Sequence, residues 1–409
     1  MSCNTCSSQS CQSRTSTSPI KWRLDIRKVF RLLALVSLGF AWYWGQQAHI
    51  PNWEQEILKL HPQAELKSID QSTSLFTMFN KGNRYFVSVA TDNSYGGPIT
   101  TATTISEKGV VKSVDILDHN DTPAYIQKLR NAGYFRRLQN KQLDSLQNWD
   151  KQWDAVSGAT LSSNAIMRAN TQASYQVATS QFGLTPQLKD KEITYTVNHA
   201  LLAMLILLSF INIWLGNKKL KLAYVIGSTV IIGFMANQLI SVGNFSGLLM
   251  GFTPTLSENL EFWILLGSVF IAIGVLGRNI YCGNICPFHG VQYVLHKLSS
   301  INLPMHPLIL KYGRYIPKVG LWAALMIGFL TTNPSAGSYE PFSMIFSLQG
   351  EGIQWFILPS ILIGAFFIPD MFCRFFCPVG EMLTTITNLR NNVAYQLKLF
   401  LKRDKGAEL

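Results

Sequence analysis

Six apolar stretches, each long enough or nearly so to cross a bilayer core of about 30 Å, leave this chain few ways to fold. They run from Val29 to Gly45, Val197 to Leu215, Leu222 to Val242, Leu260 to Leu276, Val319 to Thr332 and Ile353 to Ile368. The fifth is short, with Pro317 and Pro334 on its flanks. One large polar segment, residues 46–196, separates the first stretch from the second. At 48% hydrophobic and 14% charged over 409 residues, the composition is too apolar for an ordinary soluble enzyme. The expectation is an α-helical polytopic membrane protein of about six spans that carries one soluble domain.

The basic residues orient it. Lys21, Arg23, Arg27, Lys28 and Arg31 precede the first span, and Lys218, Lys219 and Lys221 join the second to the third. Arg278, Lys297, Lys311, Arg314 and Lys318 lie between the fourth and fifth, and Lys398, Lys402, Arg403 and Lys405 fill the tail. Segments 244–259 and 333–352 hold no Lys or Arg. Both termini are therefore expected in the cytoplasm, with residues 46–196 outside a cytoplasmic (inner) membrane. Trp42-Tyr43-Trp44 stands where a signal peptide would need small residues, so the first span reads as an uncleaved anchor. The net charge of +12 follows from this topology and points to lipid rather than nucleic acid as the partner. The predicted organisation is a tail (1–28), an anchor (29–45), an outer region (46–196), a five-span domain (197–372) and a cytoplasmic end (373–409). Cys3, Cys6 and Cys11 lie in a Ser/Thr/Gln-rich leader that reads as a tail rather than a metal site.

Within the polar segment, Asp154-Ala-Val-Ser157-Gly158-Ala159-Thr160 leads into a helical pattern from Leu161 to about Gln181, with Ser162, Ser163 and Asn164 at its start. Small residues let backbone approach a bound group, and a helix N-terminus offers free N–H groups to an anion. A phosphate esterified to the Thr160 hydroxyl would use both. Alone, the string is equally a turn followed by an N-cap.

The surroundings extend the signal. From about Leu75 to Gln181 the segment resembles the FMN-binding domain of the peripheral subunits of Rnf and NADH:quinone reductase complexes and of the nitrous-oxide-reductase accessory family. Tyr95-Gly96-Gly97-Pro98-Ile99 is similar to that family's Gly-Pro-Ile strand start. His119-Asn120-Asp121-Thr122-Pro123 is similar to its His-x-Glu-Thr-Pro turn, with Asp for Glu and with Ala124 where Gly is common. The resemblance implies an α+β domain with FMN joined to Thr160 by a flavin transferase that reads Asp154 and Ser157. It also implies that Gly158 and Ala159 flank the phosphate, and that Gly97, Pro98, Thr122 and Pro123 lie about the flavin.

The second chemical feature is a repeated motif, Cys282-Gly-Asn-Ile-Cys286-Pro287 and Cys373-Arg-Phe-Phe-Cys377-Pro378, each following an apolar span. Spacing of four puts both thiols of a motif on one helical face. Four thiolates suit an iron–sulfur cluster, another iron centre or a structural zinc; idle buried cysteines are the alternative. Disulfides are disfavoured in the cytoplasm. No Cys-x2-Cys-x2-Cys-x3-Cys-Pro run exists, so a single shared centre is the most these thiols support.

An outer flavin domain followed by spans bearing two such motifs resembles the NosR and NirI type of membrane flavoprotein. The shorter PceC-like form is the most similar, because no ferredoxin-type Cys run follows residue 377. The resemblance implies electron delivery to a reductase outside the membrane. With flavin and thiolates expected on opposite faces, an intermediate carrier is needed. His199, His289 and His296 form no facing pair for haem, so membrane quinol is the expected carrier. Asn237 and Gln238 could bond a quinone, although helix-to-helix bonding is the commoner role. A redox-sensing regulatory or maturation factor is the competing reading. A transporter with an appended domain would leave the paired motifs unexplained.

Overall fold

The computed structural model describes residues 26–48, 52–69, 71–94, 96–121, 123–152, 154–156, 159–187, 195–257, 259–347 and 354–405. Cys3, Cys6, Cys11, Thr122, Ser157 and Gly158 lie outside them.

After helix α1 (Ile26–Ala48) comes α2 (Trp53–Leu60), then strands β1 (Glu65–Ser68), β2 (Leu75–Asn80), β3 (Asn83–Asn93), β4 (Pro98–Ser106) and β5 (Val111–His119). Helices α3 (Pro123–Asn131) and α4 (Tyr134–Leu138), a 3-10 stretch (Leu143–Gln152) and α5 (Thr160–Phe182) complete the domain. The strands form an antiparallel meander in sequence order. Alternation gives the sheet two apolar faces. Phe76, Met78, Val87, Val89 and Ala102 pack beneath Ile57 of α2, while Phe86, Ile99 and Ile105 meet α5 and its neighbours. Ala90, Ala169 and Ala173 let α5 lie close on the sheet. Polar pairs cross that seam: Ser88 Oγ donates to Gln176 Oε1 at 2.8 Å and Thr103 Oγ1 to Asn170 Oδ1 at 3.0 Å. This is the α+β domain expected from the sequence.

The second half is helical. It comprises α6 (Val197–Leu215), α7 (Lys218–Ser228), α8 (Val242–Leu249), α9 (Leu260–Ile271), α10 (Pro287–Ser299), α11 (Pro307–Gly313), α12 (Ile316–Leu330), α13 (Phe342–Ser347), α14 (Gln354–Phe367), α15 (Met371–Phe375) and α16 (Pro378–Lys405). Wider π-helical turns follow α7 (Thr229–Met235) and α9 (Ala272–Leu276) and precede α10 (Tyr281–Ile285). Among the described residues α6 is the one helix long and apolar enough to cross a membrane, and Leu260–Leu276 and Trp355–Phe367 are shorter apolar helices. The third expected span, Leu222 to Val242, is interrupted. It ends at Met235, where Asn237 adopts φ +49, and α8 starts afresh with Ser241 as its N-cap. The apolar run continues through this break, so hydropathy alone hides it. α1 packs on α12, with Trp322 Nε1 donating to Ser37 Oγ at 3.0 Å.

The flavin-type domain sits on the loops that join these helices. Asn120 Nδ2 donates to Thr332 O at 2.9 Å, Ser335 Oγ to Gly96 O at 2.6 Å and Asn93 Nδ2 to Thr253 O at 3.2 Å. Gly97 must be glycine here: its φ is +147, and a Cβ would lie 2.9 Å from Asn120 Cβ and 3.2 Å from Pro334 Cδ.

Candidate functional sites

Thr160 is the first residue of α5, not the residue before it, and its side chain is exposed. Ala159 occupies the N-cap without a side-chain bond to the free amides, and no acidic residue stands in the first turn. That leaves the helix N-terminus open to an anion beside a free-facing hydroxyl, which fits a phosphoester there. The first turn is held from beneath. Ser163 Oγ donates to Ala159 O at 2.7 Å and accepts from Val156 N, fastening the 154–156 loop, with Asp154 exposed. Tyr134 Oη donates to Ser163 O at 2.8 Å; burial pushes its phenol up, so it stays a donor. Arg168, two turns along, grips both Asp92 oxygens at 2.8 and 3.0 Å.

Asp121, noted in the sequence only as a departure from Glu, is the hub of this corner. Buried, it accepts from Ser94 Oγ at 2.6 Å, from the Gly96 amide at 3.2 Å and from Ser162 Oγ. It thereby joins the first turn of α5 to the Gly96-Gly97 turn that touches the helical domain. Pro98 opens β4 and Pro123 opens α3 on either side of this corner.

The two motifs meet at Gly380. A Cβ on Gly380 would lie 3.6 Å from Cys377 Sγ and 3.8 Å from Cys282 Sγ, bringing the motifs together. Each motif ends in a helix start: Cys286 precedes α10 and Cys377 precedes α16, with a proline as first helical residue. Proline has no amide to lose there, and the next amides turn onto sulfur. Gly380 N donates to Cys377 Sγ at 3.3 Å, and Cys286 Sγ faces the Phe288 and His289 amides. The first Cys of each motif receives a carboxamide instead: Asn279 Nδ2 at 3.2 Å from Cys282 Sγ, Gln292 Nε2 at 3.2 Å from Cys373 Sγ. Every sulfur thus has an N–H donor, which is what thiolate ligands of a cluster need.

Among the described residues no three His, Cys, Asp or Glu side chains are close enough to share one metal ion. Cys282, Cys286, Cys373 and Cys377 would be the thiolates to hold an iron–sulfur cluster, which would supply one-electron transfer there. With a cluster held there, removing the Gln292 donor, as in Gln292→Leu, would destabilise its more negative reduced state. The midpoint potential should fall by roughly 50 mV, since one-electron couples move 59 mV per tenfold change; a redox titration followed by EPR checks it.

Sequence reasoning missed Asn279, Gln292 and the pair His289 Nδ1–Asp370 Oδ1 at 3.0 Å that braces one motif against the other. A signal existed, because Asn279 and Asp370 each stand three residues before the first Cys of their motif. The other histidines have separate partners: His199 meets Glu261 at 2.9 Å and His296 meets Asn302 at 2.9 Å. Asn237 and Gln238 lie at the break after Met235.

Two family models match stretches of this chain. An FMN-binding domain matches residues 94–174, and a 4Fe-4S binding domain matches residues 260–306 and 355–393, which include all four motif cysteines. The chain is 24% identical over 191 residues to "Regulatory protein NosR" of Stutzerimonas stutzeri, covering 42% of this chain and 26% of that protein. It is 25% identical over 189 residues to "Protein NirI" of Paracoccus denitrificans, covering 42% of this chain and 27% of that protein. The matched part spans about a quarter of the length of these relatives.

Proposed function

Because this chain belongs with the NosR- and NirI-like flavoproteins and carries both an FMN-binding and a 4Fe-4S binding domain, we propose that it is a membrane-bound electron-transfer protein. Electrons from the quinol pool reach FMN and then a terminal reductase outside the membrane. FMN is esterified to Thr160 by a flavin transferase that reads Asp154 and Ser157. Gly158 and Ala159 admit the phosphate, while Gly97, Pro98, Thr122 and Pro123 border the flavin. Cys282, Cys286, Cys373 and Cys377 hold the iron–sulfur centre. The chain is multi-pass, with both termini cytoplasmic and the FMN domain extracytoplasmic.

The observation that carries this reading is the exposed Thr160 hydroxyl at an open helix N-terminus, within a domain hydrogen-bonded to the Thr253 and 332–335 loops of the same helical half that carries the four thiols. Flavin suits the task because it takes two electrons and releases them singly. Mixing the purified, loaded protein anaerobically with quinol tests it: rapid bleaching of the flavin absorbance is the expected result. A relative carries the name "Regulatory protein", and that favours a second reading as redox-sensing regulator or maturation factor. A flavin inert to quinol, in a protein still required for its partner reductase to be made, would establish that reading instead.

A further inference from the structure

Where α6 turns into α7, three cations line one cavity. Lys218, Lys221 and Arg278 border a space of about 310 Å³ whose remaining polar lining is carboxamide and phenol, with Asn284 and Tyr224 among it and no Asp or Glu. Both walls are held from behind. On the α6 side, Asn212 Oδ1 accepts from Asn217 N at 3.0 Å, which commits its Nδ2 to donate to Tyr224 Oη at 3.3 Å. On the other, Asn391 Nδ2 donates to Gly277 O at 3.1 Å and Arg390 grips the Gly274 carbonyl at 2.6 Å, fixing the loop that carries Arg278.

The cations lack counter-ions. Among the described residues, Lys218, Lys221 and Arg278 form no ion pair with an Asp or Glu. Asp370 lies in electrostatic reach of Lys221, but His289 Nδ1 already engages it at 3.0 Å, and Lys221 extends over the Tyr293 ring. Two neutral donors are also unspent among the described residues. Tyr224, only 4% exposed, receives the Asn212 bond, so its own O–H has no acceptor, and the Asn284 carboxamide has no partner. Three uncompensated cations and two free donors around one concave space select an anion with several acceptor oxygens, and phosphate is such an anion. The rim indicates its source. Trp214 and Leu215 are 82% and 65% exposed beside Lys218, and Ile213 carries the apolar edge into the cavity. An exposed indole next to lysines at the end of an apolar span is the arrangement of a membrane interface, where acyl chains meet the apolar rim and the phosphate meets the cations.

We propose that this cavity is a specific site for the phosphate of an anionic phospholipid, held by Lys218, Lys221 and Arg278 with Tyr224 as neutral donor. The proposal rests on the membrane placement given above and on none of the redox reading. Phosphatidylcholine carries the same phosphate but adds a quaternary ammonium that the three cations repel, so the site prefers phosphatidylglycerol.

The test uses the full chain, extracted in non-ionic detergent and washed free of lipid. Phosphatidylglycerol, phosphatidylcholine and inorganic phosphate are the probes, read by native mass spectrometry and by the thermal midpoint of tryptophan fluorescence. One phosphatidylglycerol retained per chain, with a midpoint that rises to saturation, is the expected result; phosphatidylcholine gives no such rise. Lys218→Glu weakens phosphatidylglycerol about thirtyfold, the effect of two unit charges. An acid at the first residue of α7 suits the helix dipole, so the fold is kept. Arg278→Gln weakens it about fivefold, and Lys311→Gln, outside the cavity, leaves it unchanged. Inorganic phosphate that binds as tightly as phosphatidylglycerol overturns the lipid as the source. Equal binding of the two lipids, or wild-type affinity in both Lys218→Glu and Arg278→Gln, overturns the site. A chain that alkaline carbonate releases from membranes without detergent overturns the membrane placement itself.

Discussion

Thr160→Val should remove all flavin fluorescence from the SDS-denatured chain, whereas the wild type, co-expressed with an active flavin transferase, should give a fluorescent band. The contrast is large because the substitution is chemically decisive and structurally small. Valine keeps the branched shape of threonine and loses only the oxygen that would carry the phosphate. The side chain is exposed at the first position of α5, so the change in stability should stay within about 0.5 kcal/mol. A dark variant with an unchanged thermal midpoint therefore reports on the bond and not on misfolding. A dark wild-type band, with the transferase working on a control substrate, sinks the attachment; a fluorescent variant moves it to another residue.

Changing any one of Cys282, Cys286, Cys373 or Cys377 to serine should empty the iron site proposed for these thiols. Altering an outer-shell partner of a metal ligand costs roughly 10–100-fold in affinity, and loss of a ligand must cost more. Serine holds the volume but offers a hydroxyl that stays protonated where thiolate is required. Cys377→Ser is the most telling variant, because that sulfur accepts the Gly380 amide at the start of α16 and lies beside Phe376, the residue held by Tyr339. Iron analysis and the visible absorbance of the purified protein read the effect. Iron that persists at wild-type stoichiometry in all four variants would return these residues to buried structural cysteines. Replacing Cys3, Cys6 and Cys11 together should leave iron unchanged.

Much of the architecture is legible in the sequence because its causes are local. The edges of α6 and of Leu260–Leu276 fall where the apolar runs begin and end. The start of α5 follows from small residues beside a helical pattern, and the two Cys-Pro pairs mark helix starts for reasons of amide chemistry alone. What escapes the sequence depends on distant partners. Gln292 and Cys373 are 81 residues apart, and nothing in either neighbourhood announces the bond between them. Asp121 gains its role only when β4, β5 and α5 come together around it. Segment 333–352 stands out in the sequence only for its lack of Lys and Arg, yet its first half reaches back to the carbonyl of Phe376 beside Cys377, because Gly320, Ala324 and Gly328 leave a groove that hydropathy does not register.

Among the described residues, the hydrogen bonds of Asn120, Ser335 and Asn93 that seat the flavin domain all end on a main-chain carbonyl, of Thr332, Gly96 and Thr253. At Thr332 and Thr253 residue identity is therefore free to drift while the seat keeps its register, whereas Gly96 must stay glycine because a Cβ there would lie 2.8 Å from Ser335 Oγ. A flavin domain transplanted from a distant relative should keep this seat if it brings both asparagines and the paired glycines to meet Pro334 and Ser335.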